Sequence, residues 1–280
     1  MYIMEKPIIY LGSDYIYNNK SCDYFYKLEI KKCLKSLEEE IKKLKIKVIR
    51  PKKLDIKNLC MALWVRDTSI NIKNKLYIIP QMLSTSINSN ISSSNRSFQV
   101  SQEVSVIPYK NESEIIPSSV NLDGGDILID NRNIFLGKGI RTDKTAELYL
   151  KKICPNYRII SVKHHALHLD CCMGILPNKK LLYSKKYIKK LPSFLRKEYD
   201  CYCVENYINK DSDSNLATNF LLIGKTIIIV YQKKFEKIYK LIESFNIKVI
   251  TIPFSNVSKG GGGIRCMTQW YKLPKEQLIY

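Results

Sequence analysis

The chain has 280 residues, 45% of them hydrophobic, which is enough to bury a sizeable core in one large unit or two small ones. Its formal charge of +20 comes from lysines and arginines spread along the whole sequence, so it reads as compositional bias rather than as a nucleic-acid footprint. No run of 18 apolar residues and no charged start leading into a long apolar stretch is present, which argues against a membrane span or secretory leader and for a cytoplasmic setting. Nine cysteines, an odd number without a CxxC pair, argue against a disulfide framework or a zinc site, and no cofactor or metal is implied.

A strand is expected over Ile8–Leu11, then a long charged helix over Tyr24–Leu44 and a strand at Val48–Ile49. The stretch Ser84 to Ser97 is rich in Ser and Asn and reads as a mobile lid, with Arg96 inside it. From Asp126 onward a pattern repeats. Asp126–Leu136 reads as two strands around Asn131–Asn133, followed by a helix over Asp143–Ile153 and a strand over Tyr157–Val162. Met173–Tyr183 reads as a hairpin turning at Pro177-Asn178, Lys186–Lys197 as partly helical and Cys201–Glu205 as extended. Phe220–Tyr231 is a third hairpin, turning at Gly224-Lys225, followed by an amphipathic helix over Lys234–Ser244 and a strand over Ile247–Pro253. Turns near 131, 178 and 225 recur every 47 residues, and about five such units would fill residues 1–280 as a single domain.

Polar residues fall at matching places in this repeat. Asp67, Asp123, Asp170, Asn219 and Cys266 each lie just before a strand or hairpin, at intervals of 56, 47, 49 and 47 residues. Units set around an axis would gather them at one rim. Asp and Asn are also favoured as turn residues, which is the competing reason for finding them there. Cys266 follows Gly260 to Gly263, with Arg265 beside it, a setting for an exposed, electropositive thiolate. The three histidines, His164, His165 and His168, lie within five residues, and His168 opens the triplet His168-Leu169-Asp170. One thiol, one histidine and several carboxylates suggest a cationic substrate.

The ordered set WVRDT (from Trp64), LDGGDIL (from Leu122), FLGKGIRT (to Thr142), LHLD (to Asp170) and GGGIRCMT (to Thr268) resembles the guanidino-modifying enzymes of the pentein fold. Arginine deiminase, dimethylarginine dimethylaminohydrolase, agmatine deiminase and glycine amidinotransferase belong to that group. The resemblance implies an α/β propeller of about five ββαβ units around a pseudo-fivefold axis. It also implies roles: Cys266 as nucleophile on the guanidinium carbon, His168 as the group that protonates the leaving amine, and Asp123 as a carboxylate on the histidine or guanidinium. Asp67 and Asp170 would hold the guanidinium nitrogens, and Arg141, or Arg96, a substrate carboxylate. Arg141 has a second reading as a charge ahead of the helix that begins near Asp143. Asp126 is expected to be structural, Trp64 to be core, and His164 and His165 to be strand or loop residues.

The implied reaction is hydrolysis of the guanidino group of arginine or a close derivative, with transfer of the amidino group to an amine as the alternative. A third reading is a non-catalytic pentein-fold protein that binds ribosome or RNA through its basic charge, which would not need the Cys, His and Asp set.

Overall fold

A computed structural model describes residues 7–12, 24–50, 63–79, 113–210, 212–253 and 262–273. Fifteen strands form five three-stranded sheets. Four of these sheets run consecutively: β3 (Ser69–Ile72), β4 (Lys75–Ile78) and β5 (Glu114–Ile115); β6 (Ile127–Asp130), β7 (Asn133–Lys138) and β8 (Arg158–Lys163); β9 (Met173–Leu176), β10 (Lys180–Tyr183) and β11 (Asp200–Cys203); and β12 (Leu221–Ile223), β13 (Thr226–Tyr231) and β14 (Lys248–Pro253). The fifth joins the two ends of the described chain. Its members are β15 (Thr268–Lys272), β1 (Ile8–Leu11) and β2 (Lys47–Ile49).

In every sheet the first strand pairs antiparallel with the second, and the second parallel with the third. An antiparallel pair closes through a tight turn, whereas a parallel pair needs a crossover. Helices supply it in four units: α1 (Tyr24–Lys43), α2 (Lys144–Ile153), α3 (Ser193–Glu198) and α4 (Glu236–Glu243). Helical spacing explains their docking. Along α1, Ile30, Cys33, Leu34, Leu37 and Ile41 fall on one stripe and are buried. Asp143 caps α2 by accepting from Thr145 N at 2.7 Å. The architecture is therefore a five-unit α/β propeller whose ring is completed by β15 on β1, with Ile9 opposite Trp270 and Leu11 opposite Thr268.

Several expectations shift. The extended run ends at Cys203, and Glu205 lies in a 3-10 turn over Val204–Tyr207, where its carboxylate accepts from Ser184, Ser214 and Lys185 N. The helix between β10 and β11 is confined to Ser193–Glu198. A strand or hairpin was expected after Asp67 without bounds, and the structure gives it as the hairpin of β3 and β4. The stretch Ser84–Ser97 with Arg96 lies outside the described residues.

Candidate active site

The five loops that lead into the first strands are stitched to one another around the axis. Arg66 N donates to Cys266 O (3.1 Å), Gly124 N to Asp67 O (3.1 Å), Leu169 N to Asp126 Oδ1 (2.8 Å), Leu216 N to Cys171 O (3.1 Å) and Arg265 N to Asn219 Oδ1 (3.0 Å). This cycle brings Asp67, Asp123, His168, Asp170, Asn219 and Cys266 together, and all six are buried.

Close backbone approach explains the glycines. A Cβ at Gly125 would lie 2.7 Å from the His168 ring, and one at Gly263 would lie 2.6 Å from Asn219 Oδ1. In LDGGD, therefore, the second glycine makes room for the histidine, while Asp123 accepts from Gly125 N at 3.2 Å.

His168 sits between two carboxylates. Its Nε2 lies 2.9 Å from Asp123 Oδ2, a short ion-pair contact off the ideal N–H direction, and its Nδ1 lies 3.7 Å from Asp67 Oδ1. Burial by itself would depress the imidazole, but the charges of Asp123 and Asp67 outweigh it and hold His168 well above its ordinary range. Asp123 also pays a burial penalty, outweighed by His168, Arg141 and Gly125 N, and is held below its ordinary range. Asp67 goes the other way: burial and the neighbouring Asp123 push it up to about 7. Burial likewise raises Asp170, against the pull of Arg265, His168 and Arg66. Two oxygens, Asp67 Oδ1 and Asp170 Oδ2, have no hydrogen-bond partner among the described residues.

Cys266 differs from expectation in two ways. It is 3% exposed rather than open to solvent, and its sulfur is contacted by Asn219 Nδ2 at 3.1 Å rather than by Arg265. The Arg265 guanidinium turns instead to Ile127 O (Nη2, 3.2 Å) and Asp170 Oδ2 (Nε, 3.5 Å). A second thiol adjoins the first. The neighbouring Cys266 sulfur, followed by burial, pushes the Cys171 thiol well above its ordinary range, and Cys171 Sγ donates to Asp170 Oδ1 at 3.6 Å.

Arg141 Nη1 lies 3.3 Å from Asp123 Oδ2 and so belongs to the His168 and Asp123 cluster. His164 is buried with Nε2 3.0 Å from Asp126 Oδ1, whose same oxygen accepts from Leu169 N, whereas His165 is exposed. Trp64 is buried in the core cluster that contains Cys266, with its ring against Gly262. Sequence reasoning placed Asn219 on the rim but gave it no task, and it passed over Cys171 and Arg66. The 47-residue spacing from Asn219 to Cys266 was the available signal for the first; Cys171 and Arg66 carried none beyond adjacency to Asp170 and Asp67. Two overlapping sets, Asp67, Asp123 and His168, and His168, Asp170 and Cys171, have ligand-capable atoms within 4.8 Å of one another.

Known proteins share this fold. The family model for arginine deiminase matches residues 202–271. SxtG, an amidinotransferase from Microseira wollei, superposes with a TM-score of 0.71 at 17% identity, covering 93% of this chain and 92% of that one. The N-terminal domain of cyanobacterial ArgZ, covalently bound to a reaction intermediate, gives 0.70 at 16% identity over 96% and 99%. The chain has the pentein fold. DDAH from Pseudomonas aeruginosa, complexed with citrulline, shares that pentein fold at a TM-score of 0.68 and 16% identity, over 95% and 98%. YkgA of Bacillus subtilis (strain 168) is 33% identical over 151 residues, 53% of this chain and 51% of that protein, so the match spans about half of that relative. Among the described residues no helix is long and apolar enough to cross a membrane.

Proposed function

We propose that this pentein is a cysteine-dependent hydrolase of the guanidino group of arginine or a close derivative, a small-molecule substrate. One observation carries the reading: Asp67 and Asp170, both buried near His168, each leave one carboxylate oxygen without a hydrogen-bond donor among the described residues. A buried anion without a donor is costly, and a guanidinium supplies both the charge and N–H groups in a planar fork. Placed there, its carbon is offered to Cys266.

In this reading Cys266, losing its proton to solvent as the cation enters, attacks the guanidinium carbon through Sγ. The C–N bonding pair leaves with the departing nitrogen, which takes its proton from His168. The neutral imidazole then accepts a proton from water as its oxygen adds to the amidino carbon. Cleavage of the C–S bond returns the thiolate and releases a ureido product. Asp123 keeps His168 charged for the first half, and Asn219 supplies a donor to the sulfur.

Incubation with arginine, methylated arginines, agmatine and guanidinoacetate, with and without glycine, followed by mass spectrometry of small molecules and intact protein, tests this. Citrulline or another ureido product formed without added amine is the expected result. Ornithine formed only when an amine is added would make the chain a transferase. No product and no Cys266 adduct from any of these guanidines would overturn the reading.

A further inference from the structure

The five first strands do more than carry the site at their leading ends, because they also enclose a cavity of about 500 Å³ that runs the other way, toward the hairpin turns. Its walls come from all five sheets: Ile70, Ile127, Leu128, Ile175, Leu222 and Trp270 are among the lining side chains. Its outer end is set by turn residues, including Lys73, Asn131, Asn178, Lys179 and Gly224. None of Asp67, Asp123, His168, Asp170 or Cys266 lines it, so it is distinct from the site described above. The size falls within the roughly 300–1,000 Å³ of small-molecule sites.

Two arginines stand where the cavity meets the catalytic loops. Arg66 and Arg265 both line it. Arg66 is 6% exposed; its Nη1 donates to Gln269 Oε1 (2.6 Å) and its Nε to Arg265 O (3.4 Å), while Nη2 has no partner among the described residues. No carboxylate lies in ion-pair contact with it there; Arg265 reaches only Asp170, at 3.5 Å. Burial, then repulsion from Arg265, pulls the Arg66 guanidinium down to about 9, against the opposing pull of Asp170, Cys266 and Asp67. Buried guanidinium N–H groups are ordinarily satisfied, and a charge in apolar surroundings calls for a counter-ion. The donor at one end and the hydrocarbon walls beyond it together select an anion with an apolar tail. A four-residue strand such as β9 spans roughly 13 Å, so the cavity has room for a short alkyl chain.

We propose that this axial cavity is a second ligand site, specific for an aliphatic monocarboxylate whose carboxylate accepts from Arg66 Nη2 beside Arg265 and whose tail lies along Ile70, Ile127, Leu222 and Trp270. Because Arg265 also faces Asp170, such a ligand would compete with Asp170 for that guanidinium and so reach the catalytic side from behind.

Octanoate is the probe, with octanol and inorganic phosphate as the uncharged and tail-less controls, measured by calorimetry on the full chain. The chain has two tryptophans, so a Trp64→Phe protein reports through Trp270 fluorescence alone. Octanoate is expected to bind one to one and shift that fluorescence, with octanol and phosphate each at least tenfold weaker. Arg66→Gln should weaken octanoate at least tenfold, and Leu222→Trp, which fills the cavity without touching the arginines, should do the same; should the first variant not fold, the second carries the test. Octanoate should still bind the Cys266→Ser protein. Equal binding of octanol, equal binding of phosphate, indifference to Leu222→Trp, or loss of binding in Cys266→Ser would each overturn the proposal, the last by placing the ligand in the catalytic pocket.

Discussion

The first strand of each unit runs between two kinds of loop, and both are rich in Asn and Asp for different reasons. At the trailing ends, Asn74, Asn131, Asn178 and Gly224 hold φ between 53° and 65°, the left-handed region that those residue types tolerate best. At the leading ends, Asp123 has φ −125° and His168 φ −135°, ordinary extended backbone that any residue could adopt. Backbone geometry therefore accounts for the polar residues at one end and not at the other. At the leading ends, charged side chains are buried at a cost in desolvation, with oxygens of Asp67 and Asp170 left without donors among the described residues.

Substitutions can break this comparison from either side. The largest effect is expected from Cys266→Ser, which should abolish product and any covalent adduct seen by intact mass while leaving circular dichroism unchanged. Next comes His168→Ala, with turnover down by about 10²–10⁴-fold. Measurable turnover at the wild-type rate in either protein would remove the assigned mechanism. Asp67→Asn should act on substrate use, lowering kcat/KM by roughly 10- to 100-fold for loss of a hydrogen bond to a charged group; an unaltered substrate dependence would place the guanidinium elsewhere. At the trailing ends, Asn178→Ala should cost about 1 kcal/mol in stability by urea titration and leave kcat untouched, since only the left-handed turn is affected. A change in kcat there would mean that the two ends are not separable.

A pH series sharpens the same contrast. The folded protein holds protons on Asp67 up to about pH 7, whereas the unfolded chain loses them near pH 4. The folded state thus binds more protons in that window, and this contribution to stability is full below pH 4 and is lost as pH rises to 7. His168, also raised, loses its contribution as pH climbs from 6.5 through its higher folded value. Melting temperature should accordingly fall less between pH 4 and 7 in Asp67→Asn than in wild type.

Much of this was legible beforehand, for identifiable reasons. The units from Asp126 onward each announce a turn with Asn or Gly and a helix with an apolar stripe, and both signals are local. The β3–β4 hairpin was not delimited because buried Asn71 interrupts the apolar alternation, its Nδ2 instead donating to Trp270 O and Tyr271 O across the ring. Closure of β15 on β1 escaped because that pairing spans nearly the whole sequence. At the site, the even spacing of Asp67, Asp123, Asp170, Asn219 and Cys266 revealed the rim. Burial of Cys266 and the turning of Arg265 away from its sulfur depend on which side chains fill the space between units, and no spacing encodes that.

The pairing of β15 with β1 also orders events in time. Synthesis runs from the amino end, so Asp67, Asp123, His168 and Asp170 leave the ribosome well before residue 266. The strand that follows Cys266 must then find a partner, β1, made long before it, the kind of long-range pairing that folds slowly. Until it does, the carboxylates face an incomplete ring, and the same strand that completes the fold brings Cys266 to them.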